Sequence, residues 1–295
     1  MLDFHAPTFD DKPWVDEVLS HSRHMGCLYS FAQFYLWSKK YHTEIVRVGD
    51  CVCILSGGKY RYYVYPAGRY DVGEIIDILA QDAKERGIPL RFCAVEQWQH
   101  DELMERFPDR FASDMCRDDC DYIYKASDLI NLSGRKYHGK RNHISGFKRA
   151  FPDWQYEDIT PDNAPECGAM LQRWIDEYSG DNLSALRLEK EIIETALRDY
   201  SSLGLSGGLI RVEGNVIAFT LGERLNKGIY VVHFEKALSS YNGAYPMINH
   251  EFAARNLAQY EYINREEDLG LEGLRKSKLS YYPAVILPKY LIAES

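Results

Sequence analysis

A mixed α/β fold, with α+β mixed sheets in two halves of similar plan, is what the sequence predicts. Three observations carry this. The 295 residues exceed the roughly 100 to 200 of one domain. Two sets of three short β-rich runs, at 44–65 and 208–237, are broken by tight-turn residues and read as antiparallel meanders. Each set is followed by an alternation of helical and extended patterns, an order that a doubly wound nucleotide-binding sheet does not have.

In chain order, a helix is expected from Pro13 to Arg23, and a second from Phe31 to Lys40 with Phe31, Phe34 and Tyr35 as a packing stripe. The runs EIVRV, CVCIL and YRYYVY follow, separated by Gly49-Asp50 and Gly57-Gly58. Val72, Ile75, Ile76, Leu79 and Ala83 then mark one face of a helix that stops at Gly87. A strand at Leu90 to Val95, a helix at Gln97 to Arg106 and strands near Phe111 and at CDYIYK complete a first domain, residues 1–125.

The second domain, 126–295, opens on DLINLSG, read as a connector, and a helix YHGKRNHISGFKRAF. Tyr137, Ile144, Phe147 and Phe151 face one way on it; Lys136, Lys140 and His143 face another. A short strand WQYE and helices at Asn163 to Tyr178 and Arg187 to Tyr200 lead into the second meander, GLIRVEG, NVIAFTLGE and KGIYVVHFEKA. The pattern closes with a helix at Gly243 to Leu257, a strand YEYIN, a helical LEGLRKSK and a last strand YYPAVILP.

Composition narrows the function. No run approaches the roughly 18 apolar residues of a membrane span, and the first residues are acidic where a secretory leader would be basic, so a cytoplasmic chain without a membrane span is expected. Seven scattered Cys give no disulfide framework. Cys116 and Cys120 lack a second pair at ligand spacing, so no metal is expected. A net charge of -9 disfavours general nucleic-acid binding and sequence-specific DNA recognition. Residues 129–152 nevertheless carry six Lys and Arg and no acid. There Arg135, Lys136, Lys140, Arg141 and Lys148 read either as a polyanion-binding surface or as a solvated helix face.

The order of the second half matches the acetyltransferase (GNAT) superfamily, and the first half repeats it, which makes tandem GNAT domains the expected architecture. YNGAYPMINHEFA, YINREEDLGLEGLRKSKLSYYPA and GRKYHGKRNHISGFKRAF go further. Together they resemble a bacterial family related to the C-terminal catalytic domain of phosphatidylglycerol lysyltransferase, over roughly residues 120 to 290.

The resemblance implies acyl or aminoacyl transfer from an activated donor, an aminoacyl-tRNA or an acyl-coenzyme A, to an amine or hydroxyl acceptor, either a small molecule or a peptide. Alternatives are a coenzyme A-dependent N-acetyltransferase of a small metabolite and a non-catalytic ligand-binding module. In the acetyltransferase donor loop, Gln or Arg, a central Gly and a final Gly or Ala are usual. Here Ser240, Gly243 and Tyr245 stand at those places, and only the glycine agrees.

Gly243, Ala244 and Tyr245 open a helix whose free N–H groups can hold an anionic donor. Asn264, at a strand end, and Arg275 and Lys276 are further donor-binding candidates. Glu235 is placed to take a proton from an amine, or is only a strand-end charge; Lys278 can stabilise an oxyanion and Tyr282 protonate a leaving group, or Tyr282 is a packing aromatic. His233, Asn249 and Glu251 are candidates for orienting the acceptor, with a plain polar helix face as the alternative for the last two. The chemistry requires a gap between two parallel strands, near Val232 and Ile263.

Overall fold

Chain connectivity is less simple than a cut at residue 125. The computed structural model describes residues 1–177 and 183–295, so the expected helix end at Tyr178 lies outside the described residues. Two compact units result: Met1–Ile123 with Glu266–Leu279 and Val285–Ser295, and Tyr124–Arg265 with Ser280–Ala284.

The first unit begins with α1 (Lys12–Leu19), α2 (Phe31–Tyr41), β1 (Glu44–Val48), β2 (Asp50–Ser56), β3 (Tyr62–Arg69), α3 (Val72–Arg86), β4 (Arg91–Glu96), α4 (Gln97–Arg106), β5 (Phe111–Met115) and the start of β6 (Asp121–Lys125). Local chemistry sets several ends. Ser30 caps α2 by accepting from the Gln33 N–H, and Asp71 caps α3 from Glu74. Gly87, at φ 67°, closes α3 in the left-handed conformation that costs glycine least.

The second unit contains α5 (Ala126–Asn131), α6 (His138–Ala150), β7 (Gln155–Asp158), α7 (Ala164–Asp176), α8 (Leu183–Arg198), α9 (Tyr200–Leu203), β8 (Ser206–Val212), β9 (Asn215–Arg224), β10 (Ile229–Ala237), α10 (Ala244–Asn256) and β11 (Tyr262–Asn264). The chain then re-enters the first unit as α11 (Glu272–Leu279), β12 (Val285–Leu287) and β13 (Lys289–Glu294).

Both units use one sheet plan. In the first, β1, β2 and β3 form an antiparallel meander and β4 runs parallel to β3; β13 lies between β4 and β5, antiparallel to both. In the second, β8, β9 and β10 form the meander and β11 runs parallel to β10, while β7 edges β8. The first core gathers Tyr63, Tyr65 and Phe111 around Phe92, with ring centroids 5.5 to 6.3 Å apart, under Ile75, Ile76 and Leu79 of α3 and beside Ile292 of β13. The second buries Met170 and Leu171 of α7, Phe219 of β9 and Met247, Ile248 and Phe252 of α10.

Two expected elements differ. DLINLSG is not all connector: Ala126–Asn131 is helical, closed by Leu132 at φ 45° and by Gly134. YYPAVILP is not one strand. Tyr282 sits at φ 54° and Val285–Leu287 pairs antiparallel with Asp121–Ile123, before Pro288 separates it from a further strand, β13. Among the described residues no helix is long and apolar enough to cross a membrane.

Candidate functional site

The second unit's sheet opens where its two parallel strands meet. β11 pairs with β10 only at Ile229↔Tyr262, Tyr230↔Ile263 and Val231↔Asn264. From Val232 to Ala237, β10 continues against β9 alone. A bulge at His233 interrupts that pairing, and bulges re-aim side chains beside sites. The His233 ring is buried against Glu223, Nε2 3.0 Å from Oε1.

Where β11 leaves, Arg265 turns in. Its Nη2 donates to Glu235 Oε1 at 2.7 Å, and Nδ2 of Asn249, from α10, donates to Glu235 Oε2 at 3.1 Å. The guanidinium packs 4.8 Å from the centroid of the buried Tyr281 ring and 5.7 Å from that of Tyr124. Lys140 of α6 rests on the same Tyr281 ring, its Nζ 3.7 Å from the centroid. Burial, and then the neighbouring Arg265 charge, pull the Lys140 ammonium down to about 8, with Glu235 opposing. Burial likewise pushes the Tyr281 hydroxyl up, so that it stays a neutral donor. Arg265 thus pairs with Glu235, while Lys140 and Arg265 stand against the same Tyr281 ring, so positive charge gathers where negative charge on an incoming carbonyl would develop.

The start of α10 is a poor anion seat. Ala244 N–H is already bonded to the Tyr241 carbonyl, and Pro246 in the first turn has no N–H to offer. Gly243 sits at φ 90°, and a Cβ there would stand 2.7 Å from the His143 carbonyl oxygen, so α6 lies tight against this turn. The Tyr245 hydroxyl accepts from the Trp174 indole at 3.1 Å.

The other candidate residues are dispersed. Asn264 is fully buried at the last paired position of β11. Glu251 binds Lys148 at 2.9 Å and Arg255 at 3.2 Å; burial raises its carboxyl, but His250, Lys148 and Arg255 together bring it to about 2. Arg141 donates to the Leu132 and Gly134 carbonyls, tying the end of α5 to α6, and Lys136 lies 3.5 Å from Asp128 and over the half-exposed Tyr282 ring. Of the basic segment, then, Lys140, Arg141 and Lys148 are engaged within the unit, while Arg135, Lys136, His138, His143 and Arg149 are exposed. Arg275, Lys276 and Lys278 belong to the first unit. There Arg275 clamps Asp268 and Asp118, Lys278 is buried with its ammonium on the Glu266 carbonyl, and Lys276 is exposed.

The first unit holds a second polar cluster. Cys27 Sγ, Asp121 and Glu267 lie within 4.8 Å of one another, a possible donor set for a metal. Lys289 Nζ stands among them, 2.6 Å from Asp121, 3.4 Å from Cys27 and 3.8 Å from Glu267. A buried ammonium supplies the charge that these acceptors require, so the set reads as an internal ion network. Cys116 and Cys120 are not paired as ligands: Cys120 Sγ points to the Cys116 carbonyl and the Met115 sulfur.

Residues 20–293 match the family described as phosphatidylglycerol lysyltransferase, C-terminal. The chain belongs to this family. Its phosphatidylglycerol lysyltransferase C-terminal fold is shared, over the full length of both chains at 36% identity and a TM-score of 0.94, by a conserved protein of unknown function from Bacteroides thetaiotaomicron. L-PGS from Bacillus licheniformis is 14% identical with a TM-score of 0.68, covering 96% of this chain and 92% of that one. A tandem GNAT protein of the clavulanic acid biosynthesis pathway, 10% identical, covers 100% and 98% with a TM-score of 0.51. The fold is therefore mixed α/β of tandem GNAT type. An uncharacterised protein of Mycoplasmoides gallisepticum is 22% identical over 177 residues, and the chain spans about half its length, 55%.

Sequence reasoning placed Glu235 and Asn249 at the site but missed Arg265 as its counter-ion and misjudged where Lys140 points. A signal for the first was present, since a lone arginine directly after a short buried strand has few ways to stay charged without a carboxylate.

Proposed function

We propose that this chain transfers an aminoacyl group from a charged tRNA to an amine or hydroxyl acceptor, at the open stretch of β10. The observation that carries this is the departure of β11 after Val231, which leaves main-chain groups of β10 without a strand partner beside the Glu235–Arg265 pair. The donor ester carbonyl lies along that stretch, where main-chain N–H groups and the Arg265 charge receive its oxygen as it becomes an oxyanion. The acceptor attacks the carbonyl carbon. Its proton passes to neutral Lys140 and from there to the departing ribose oxygen, while Glu235 holds Arg265 in place.

Membership of a lysyltransferase family supports aminoacyl transfer. The crowded, proline-bearing start of α10 favours a tRNA ester over the pyrophosphate of coenzyme A. Exposed Arg135, Lys136 and Arg149 supply charge for a tRNA backbone.

The test presents the purified chain with tRNA carrying labelled amino acids, and in parallel with labelled acetyl-coenzyme A, each with a diamine, a dipeptide or phosphatidylglycerol vesicles as acceptor. Label is expected to leave the tRNA into one acceptor, and the E235Q variant to lose most of that rate. Transfer from acetyl-coenzyme A alone, or neither transfer nor retention of charged tRNA on a filter, overturns the proposal.

A further inference from the structure

Asn249 carries an acceptor that the protein does not use. The residue is 5% exposed on α10, and its Oδ1 is buried without a hydrogen-bond partner among the described residues. The orientation of the amide is settled by its neighbour. Nδ2 donates to Glu235 Oε2 at 3.1 Å, and the opposite orientation would set two acceptors against each other. A buried acceptor left unpaired is expensive and rare, so such an atom in a site marks the place of a ligand donor.

Glu235 points the same way. One of its oxygens takes Arg265 and the other takes Asn249, whereas a carboxylate offers about four lone-pair positions. Glu235 and Asn249 therefore leave acceptor capacity on two adjoining groups, one of them charged. A plain acyl group offers no N–H to fill it. An ammonium offers three and carries the complementary charge.

We propose that Asn249 and Glu235 bind the free ammonium of the aminoacyl group, so that the site selects donors with an unblocked amine over N-acylated or simple acyl donors. This rests on the aminoacyl-transfer reading above and names the feature of the donor that is recognised. Asn249 and Glu235 touch substrate here as binding residues; Arg265, which faces the oxyanion, also fixes the Glu235 carboxylate.

The experiment compares two probes by calorimetric titration against the intact chain: puromycin, a 3′-aminoacyl aminonucleoside with a free α-amine, and its N-acetyl derivative. At pH ~6 the amine is protonated. Puromycin is expected to bind roughly tenfold or more tightly than the blocked probe. N249L, which keeps the volume and removes the acceptor, is expected to bring the two toward parity with an unchanged melting temperature. The wild-type comparison stands even if N249L does not fold. Equal binding of both probes overturns the ammonium site while leaving aminoacyl transfer intact. Binding of neither probe, with transfer from charged tRNA still observed, also overturns it. Loss of both binding and transfer overturns this inference together with the proposed function.

Discussion

Lys140 shows how far one side chain's environment can override its place in a sequence. Helical spacing sets it with Lys136 and His143 on a polar face, yet its ammonium rests on a ring contributed from 141 residues further along the chain, Tyr281. No local pattern reveals a partner that distant. A lysine whose folded pKa, about 8, lies below its unfolded value of 10.5 resists protonation in the folded state. Between pH 8 and 10.5 the unfolded chain holds a proton that the folded chain has released, so this residue makes stability rise with pH across that window. K140M should remove the rise, seen as a flatter dependence of the urea midpoint on pH. In the transfer assay the wild-type rate should climb through pH 8 and the K140M rate should not; parallel profiles would show that Lys140 carries no proton in the reaction.

At the level of elements, the sequence was most legible where one face is apolar at a fixed period. The helix at Val72–Arg86 follows that rule, whereas the meanders were legible as short apolar runs broken by turn residues, their central strands being buried on both faces. α5 and β13 escaped it for different reasons. α5 has six residues, too few for periodicity to register, and is followed closely by Ser133 and Gly134, which read as loop. β13 is a short stretch after Pro288 whose partners, β4 and β5, are almost 200 residues earlier, so nothing in its neighbourhood announces a sheet. Its weight in the first core is testable through Ile292, which is 1% exposed. I292A should cost about 2–5 kcal/mol in urea unfolding, the usual loss for emptying a buried Ile site. A loss within about 0.5 kcal/mol, typical of surface positions, would mean that β13 is not seated in that core.

For the whole molecule, a net charge of -9 and a tRNA donor are compatible only if the positive charge is gathered in one place. The acid-free run 129–152 does this, and the structure narrows it to the side chains that solvent reaches, Arg135, Lys136 and Arg149 foremost. Affinity for charged tRNA should fall as salt rises. The triple variant R135Q/K136Q/R149Q should lower the log–log slope by about 2 to 3, one unit or slightly less for each phosphate no longer neutralised. An unchanged slope in a filter-binding series would place the tRNA elsewhere. Tandem plan and family were readable because long uneven motifs and element order survive in one sequence. The domain division was not, because the chain's re-entry at residue 266 is a long-range event that local composition does not mark.

That re-entry has a consequence for synthesis. Residues 1–123 leave the ribosome well before the strand that fills the space between β4 and β5 and the Lys289 that neutralises the buried Asp121. The nascent first unit must wait, with two sheet edges open and a carboxylate uncompensated, while the second unit, whose strands β7 to β11 are contiguous in the chain, can already have formed. Translation pauses before residue 289 would therefore fall at the moment of greatest exposure to misassembly.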